Sequence, residues 1–65
     1  MIMAYIKFKI VWVLSYDDYQ DDEHYSTEDE AINAATQWSA MVDGDPITVS
    51  FIEDGKLYAH REVIA

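Results

Sequence analysis

The side chains that could do chemistry are mostly carboxylates, and they crowd into the segment from Ser15 to Tyr25. This segment reads SYDDYQDDEHY and holds five acids, three tyrosines and one of the two histidines. Its metal-type ligands are Asp17, Asp18, Asp21, Asp22, Glu23 and His24. Such oxygen-rich groups suit calcium or magnesium, but the alternating acids and the glycine of an EF-hand loop are missing. A solvated charged loop is the simpler interpretation, so the sequence predicts no metal site.

Catalytic chemistry has little support in the remaining residues. The four serines lie in no nucleophile motif, there is no glycine-rich phosphate loop, and the chain has no cysteine. A chain of 65 residues buries only about 60% of the surface that its unfolded form exposes, which leaves little room for a deep cleft. We therefore predict a protein that is not an enzyme, carries no cofactor and acts through its surface. The lack of cysteine is compatible with a reducing cytoplasm.

The charge distribution is the strongest functional signal. Thirteen acids stand against four Lys and Arg, for a formal charge of −9. Twelve of the acids lie between Ile10 and Gly55, where the sequence has no Lys or Arg. An unbalanced field costs stability through self-repulsion, so either function or solubility must favour it. The same field repels nucleic acid and anionic membranes, so the sequence predicts a basic protein partner and no direct binding to either.

A row of carboxylates can imitate phosphate and occupy the Arg and Lys groups that hold nucleic acid. Tyrosines interleaved with the acids would supply rigid contact area at an interface. The alternative is that the charge only keeps the domain soluble or reflects a salty habitat. The predicted partner-binding residues are Asp17, Asp18, Tyr19, Asp21, Asp22, Glu23, Tyr25, Glu28 and Asp29.

The elements that position these residues begin with a strand. Even positions from Ile2 to Leu14 are all apolar, which is the period of a strand with one buried face. Val11 and Val13 interrupt the polar side, so this part is either covered within the chain, which we favour, or offers an apolar edge to a partner. The acidic segment follows as a loop or an irregular extension of the strand.

A helix is predicted from Glu28 to Val42. The run Thr27-Glu28-Asp29-Glu30 fits a capping box, and its three acids favour the positive end of the helix dipole. Gly44 and Pro46 end the helix. Its apolar stripe comprises Ala31, Ala34, Ala35, Trp38, Met41 and Val42. Trp38 is therefore expected in the core, and Trp12 likewise from the first strand.

The last third of the sequence predicts a hairpin of two strands, from Ile47 to Phe51 and from Leu57 to Ile64. A two-residue Asp54-Gly55 turn would pair Phe51 with Tyr58 and Val49 with His60. A three-residue loop with Gly55 in the left-handed conformation would pair Phe51 with Leu57 and Val49 with Ala59. We prefer the second register because it keeps the apolar rows on one face. It places Tyr58, His60 and Glu62 on the outer face.

These elements make one domain, residues 1–65, of the α+β class. The order βαββ predicts a three-stranded sheet in the order 1-3-2, with the helix packed on one face, because a right-handed crossover makes the first two strands parallel.

The helix carries a resemblance to a known class of proteins. The run Tyr25-Ser26-Thr27-Glu28-Asp29-Glu30-Ala31-Ile32, with Ala35 and Trp38, lies between a strand and a hairpin. It resembles small phage-encoded host-takeover proteins, including the bacterial RNA polymerase inhibitors of podophages, over about residues 25 to 52. In size, charge and βαββ order the chain is also similar to several anti-CRISPR proteins. It departs from the polymerase inhibitors in carrying its acids in a long loop before the helix.

The resemblance implies a stoichiometric inhibitor in the host cytoplasm. It would occlude the basic nucleic-acid-binding groove of a Cas effector or of RNA polymerase. Two other functions stay open, a structural module that oligomerises through Val11 and Val13, and a cation-binding protein. Whether the chain is a monomer or a dimer also stays open.

Overall fold

The computed structural model describes residues 10–65, which form one helix and a four-stranded antiparallel sheet. The elements are β1 (Val11–Tyr16), β2 (Tyr19–Gln20), α1 (Glu28–Met41), β3 (Ile47–Glu53) and β4 (Lys56–Val63). Their order in the sheet is β2-β1-β3-β4. The α+β class and the single helix packed on the sheet are confirmed for this part of the chain. The first half of the predicted first strand, residues 2–9, lies outside the described residues.

The predicted strand order 1-3-2 is wrong, because the acidic segment reverses the chain before the helix begins. A two-residue turn after β1 leads into β2, and Tyr25 then pairs with Trp12 through two backbone hydrogen bonds of 2.9 Å. The chain is thereby back beside the start of β1 when α1 begins. The helix runs in the direction of β1, and β3 returns antiparallel to β1 and directly beside it.

Helix α1 agrees with the sequence prediction to one residue. The Glu30 N–H donates to Thr27 Oγ1 at 3.2 Å, as a capping box requires, and the Glu30 carboxylate accepts from the Ser26 N–H at 3.3 Å. Val42 is the C-cap. The Gly44 N–H then donates to the Ser39 carbonyl at 2.8 Å, and the left-handed conformation of Asp43, with a φ of 61°, makes this closure possible.

The preferred hairpin register is also wrong. Asp54 and Gly55 form a two-residue turn with φ of 54° and 77°, and positive φ at both residues is what a type I′ turn requires. Phe51 therefore pairs with Tyr58, which stacks on it at a ring distance of 5.3 Å. Turn geometry dominates here because the type I′ backbone matches the twist of the two strands.

A bulge then restores the apolar pattern farther along β4. Val49 pairs with Arg61, so His60 is an extra residue on this strand. Without the bulge, Glu62 would lie opposite Ile47 in the core. The one-residue shift instead brings Val63 opposite Ile47, because a change of register by one exchanges the faces of the strand.

The faces of β4 differ accordingly from the prediction. Tyr58 stacks on Phe51 and His60 reaches Glu28 of the helix, so both lie on the helix side of the sheet. Only Glu62, opposite Thr48, lies on the outer face as predicted.

The core lies between α1 and the sheet, and the helix contributes small side chains to it. Ala31, Ala35 and Ser39 are spaced by four residues and are fully buried, which lets the helix lie close to the strands. Trp38 is only half-buried against this core, and Met41 is 80% exposed, so the predicted apolar stripe is rotated. The cluster comprises Leu14, Ala31, Ala35, Ile47, Val49 and Val63, with Trp12 partly buried against it.

On the sheet face opposite the helix, Val13 is 1% exposed and its cross-strand neighbour Ser50 is 5% exposed. This burial agrees with cover of Val13 within the chain. Val11 is half-buried.

Ser39 links three parts of the fold through its buried hydroxyl. Its Oγ donates to the carbonyl of Asp45 at 2.6 Å and accepts from the N–H of Ala65 at 3.0 Å. The end of the helix, the loop before β3 and the residues after β4 therefore meet at one side chain.

We expect Ser39→Ala to lower the free energy of unfolding by about 1 to 3 kcal/mol. The Asp45 carbonyl and the Ala65 N–H would each lose a hydrogen bond at a buried position. Urea unfolding followed by circular dichroism measures this. Thr36→Ala is the matched control, since the Thr36 hydroxyl donates to the Ile32 carbonyl on the exposed face. Alanine there should cost nothing or stabilise the helix. Equal losses in the two variants would contradict the linking role of Ser39.

Candidate functional site

The acidic edge, defined as residues 17–25, lies along the outer edge of β1. Asp17 and Asp18 form the turn, β2 follows, and the Asp21 N–H donates to the Leu14 carbonyl at 3.0 Å. Between the pairs Ser15–Gln20 and Trp12–Tyr25, the acidic edge has four residues where β1 has two. The surplus makes the segment bulge away from the sheet. A bulge of this kind also blocks the addition of another strand at this edge.

The turn and the bulge together carry most of the predicted partner-binding acids into solvent. Asp17, Asp18, Asp22 and Glu23 are exposed, while Asp21 is half-buried. The structure thus brings these five predicted residues together on one edge. The segment was predicted as a loop or an irregular extension of the first strand, and it is an irregular edge strand of the same sheet.

Three of the acids have a conformational role in turns. Asp17, Asp43 and Asp54 have φ of 56°, 61° and 54°, in the left-handed region. Among residues with a side chain, Asp and Asn tolerate this region best. Their presence in the sequence is therefore explained in part by backbone geometry, independently of any partner.

The acids of the first helical turn also serve the fold. Glu28, Asp29 and Glu30 lie at the positive end of the helix dipole. Glu28 Oε2 further lies 2.8 Å from His60 Nε2 on the bulged strand β4. Glu28 and Asp29 are predicted partner-binding residues, and the structure places them at the end of the acidic edge with a structural role of their own.

Asp18, Asp22 and Glu23 differ from these acids. Within residues 10–65, they make no side-chain hydrogen bond and no ion pair, and the pair of Glu28 with His60 is the one salt bridge found. The two bases of this part of the chain, Lys56 and Arg61, lie on β4 at the far edge of the sheet. The negative field of the acidic edge is therefore not neutralised by a neighbouring base in the described structure.

The tyrosines of the acidic edge divide into two kinds. Tyr19 is 58% exposed, and its ring meets Trp38 edge to face at 6.1 Å. Tyr25 is half-buried, and its backbone holds the pairing with Trp12. Of the two predicted tyrosine contacts, Tyr19 is the one with most of its surface open to a partner.

A hydrogen bond between Tyr16 and Asp45 and an open depression lie beside the Asp17–Asp18 turn. The Tyr16 hydroxyl donates to Asp45 Oδ2 at 2.7 Å, which ties the end of β1 to the loop before β3. An open depression of about 480 Å³ lies beside this bond, lined by Tyr16, Asp17, Asp45, Pro46, Thr48 and Glu62. The hydrogen bond to Asp45 raises the pKa of Tyr16 above its ordinary value. Desolvation and the charges of Asp45, Asp17 and Asp43 act in the same direction.

The described part of the chain contains neither a cluster of metal ligands nor a membrane-spanning helix. Among residues 10–65, no group of three or more His, Asp or Glu side chains is placed to hold a metal ion. No helix in this range is long and apolar enough to cross a membrane.

Sequence reasoning missed three contacts around the site. They are the pair of His60 with Glu28, the hydroxyl of Ser39 and the packing of Tyr19 on Trp38. The Asp54-Gly55 dipeptide was the available signal for the first, because its two-residue turn places Tyr58 and His60 on the helix side. No local sequence pattern predicts the Ser39 hydrogen bonds or the packing of Tyr19 on Trp38, because each of these contacts joins segments that are distant in the sequence.

Comparisons with protein-family models, with curated proteins and with solved structures each find no match to the chain. The acidic edge therefore has to be interpreted from its own geometry and charge.

We expect the stability of the protein to fall as the pH rises above 10.0, the ordinary pKa of tyrosine. The folded state holds the Tyr16 proton more tightly than the unfolded state does, so its contribution is complete below that pKa and is lost as the pH passes the raised folded value. Urea unfolding at a series of alkaline pH values measures the decline. Tyr16→Phe should make it shallower, and an unchanged slope would show that the Asp45 bond does not hold this proton.

Proposed function

We propose that the protein is a non-enzymatic, phage-encoded inhibitor that binds the basic nucleic-acid-binding surface of a host protein through its acidic edge. The observation that carries the proposal is that Asp18, Asp22 and Glu23 project from a bulged edge with no structural partner among the described residues. Self-repulsion among unpaired carboxylates is unfavourable for folding, so a partner that neutralises them gives their retention a physical reason.

The density of acids on the acidic edge supports imitation of phosphate. Five acids lie within seven residues, 17–23, on the turn after β1 and on the bulge that follows β2. Carboxylates accept the same charge-assisted hydrogen bonds from Arg and Lys that phosphates accept. A groove that holds nucleic acid through Arg and Lys would therefore find acceptors of the same charge on this edge.

Within residues 10–65, the distribution of bases supports a single orientation of binding. Lys56 and Arg61 lie on β4, at the edge of the sheet farthest from the acids. A basic surface is therefore attracted to one edge and less favoured at the other. This separation of negative and positive charge steers association with a basic surface. Steering of this kind raises the association rate and makes that rate sensitive to salt.

A Cas effector is the proposed target, which makes the protein an anti-CRISPR in the host cytoplasm, and bacterial RNA polymerase is the alternative target. Both have grooves that hold nucleic acid through Lys and Arg. The alternative of an oligomerising module depended on exposed Val11 and Val13, and burial of Val13 removes one of these two contacts.

The test neutralises the acids that lack a structural role. Asp18→Asn, Asp22→Asn and Glu23→Gln together remove three charges and keep the side-chain shapes. We expect association with the target to slow by about 10- to 1,000-fold, the range that electrostatic steering supplies. Stopped-flow or surface-based kinetics against a Cas effector and against RNA polymerase, at two salt concentrations, measure the rates.

The matched control removes two charges from the tip of the β3–β4 hairpin. Glu53→Gln and Asp54→Asn lie there, and Asn tolerates the positive φ of position 54. It is compared with Asp22→Asn and Glu23→Gln together, which remove two charges from the acidic edge. The control should bind nearly as wild type does. The proposal fails if both double variants lose affinity equally, or if wild type binds a target already loaded with nucleic acid as well as it binds the free target.

A further inference from the structure

An aromatic triad stands where the acidic edge meets the end of the helix. Trp38 packs edge to face with Tyr16 at 6.0 Å and with Tyr19 at 6.1 Å. Tyr16 and Tyr19 are cross-strand partners, so both rings lie on the helix side of the sheet. Of the three, Tyr19 is 58% exposed, whereas Tyr16 and Trp38 are half-buried.

The triad is held in place from both sides. The Tyr16 hydroxyl is bonded to Asp45, and Trp38 packs against the core. Tyr19 is fixed through its backbone pairing with Tyr16 and its contact with the indole. An exposed ring that is already positioned loses little conformational entropy on binding, so it is suited to anchor a partner side chain.

We infer that the ring of Tyr19, backed by Trp38, receives an arginine side chain of the basic partner. The inference rests on the proposed function and names the partner chemistry at one point of the same edge. Charge complementarity carries it, since Asp17 and Asp18 directly precede Tyr19 and the sequence from Ile10 to Gly55 has no base that would repel a cation. An aromatic face adds an attraction that carboxylates alone do not provide.

Arginine fits this place better than lysine. A planar guanidinium stacks on an aromatic face while its N–H groups reach neighbouring carboxylates. It is also more weakly hydrated than an ammonium group, so it loses less on contact with a ring. The acids of the edge alone attract both kinds of base, and the aromatic triad adds a preference between them.

Tyr58 provides a matched comparison on the opposite edge. It is 43% exposed and stacks on Phe51, so it too is a supported surface ring. Lys56, two residues away on the same face of β4, places a positive charge beside it. Glu53, the cross-strand partner of Lys56, offsets this charge, so the surroundings of Tyr58 are close to neutral. A guanidinium is therefore less favoured at Tyr58 than at Tyr19, where acids have no neighbouring base among the described residues.

The test uses two unstructured probe peptides, one of alternating arginine and glycine and one with lysine in place of every arginine. Affinities come from NMR titration of the full chain, with the backbone amides of the acidic edge and the indole N–H of Trp38 as reporters. Wild type should bind the arginine peptide about two- to five-fold more tightly, which is the ratio that an exposed cation–π contact gives.

Three variants test which aromatic ring causes the preference for the arginine peptide. Tyr19→Leu should bind the arginine peptide more weakly and so narrow the difference between the two peptides, while its affinity for the lysine peptide changes little. The remaining difference is what bidentate pairing of arginine with the carboxylates supplies. Tyr19→Phe, which retains the ring, should keep the arginine preference, as should Tyr58→Leu on the other edge. Cooperative thermal unfolding shows in each case that the variant is folded.

The outcomes separate this inference from the proposed function. Equal affinity of wild type for the two peptides, with shifts along the acidic edge, would overturn the role of Tyr19 and leave the acidic edge as a basic-partner site. Loss of the arginine preference in Tyr58→Leu instead of Tyr19→Leu would overturn the inference as well. Failure of both peptides to bind would remove the electrostatic basis of the proposed function.

Discussion

The backbone pairing of Tyr25 with Trp12 is the constraint on which the rest of the structure depends. It returns the chain to the start of β1 before the helix begins, and this fixes the direction of α1 and the antiparallel entry of β3. The same pairing closes the four-residue stretch opposite two residues of β1, and so pushes the acids outward. The antiparallel sheet and the outward bulge of the acids therefore have the same cause. If residues 17–25 ran directly into the helix without pairing with β1, neither feature would form.

The number of acids overstates how many are available to a partner. Asp17, Asp43 and Asp54 adopt left-handed turn conformations, and the acids of the first helical turn interact with the helix dipole. Six of the 13 acids thus have a local structural reason. On the turn and the bulge, by contrast, Asp18, Asp22 and Glu23 make no side-chain contact of this kind with the described residues. Composition predicts a basic partner, and under the proposed function these three carboxylates would meet it.

The sequence predicted what depends on local chemistry. The N-cap at Thr27, the end of the helix near Gly44 and the existence of the β3–β4 hairpin are all confirmed, because each is determined by a few adjacent residues. The Glu30 carboxylate accepts from the N–H of Ser26, one residue before the cap, and not from that of Thr27 as a full capping box requires. The strand order was not predictable in the same way. An edge strand such as β2 is joined through backbone hydrogen bonds and needs no apolar side chains, so the acidic segment has no period that reveals its pairing.

The hairpin shows how two local rules that conflict can both be satisfied. The turn at Asp54 and Gly55 fixes the pairing near Phe51, while burial of Val63 fixes it near Ile47, and the two requirements differ by one residue. The bulge at His60 absorbs the difference. Because His60 then binds Glu28, the carboxylate at the start of the helix has a partner within the fold. Among the described residues, the exposed carboxylates that have no such contact, Asp18, Asp22 and Glu23, lie on the acidic edge on either side of the exposed ring of Tyr19. Under the proposed function, a basic partner would meet this part of the molecule first.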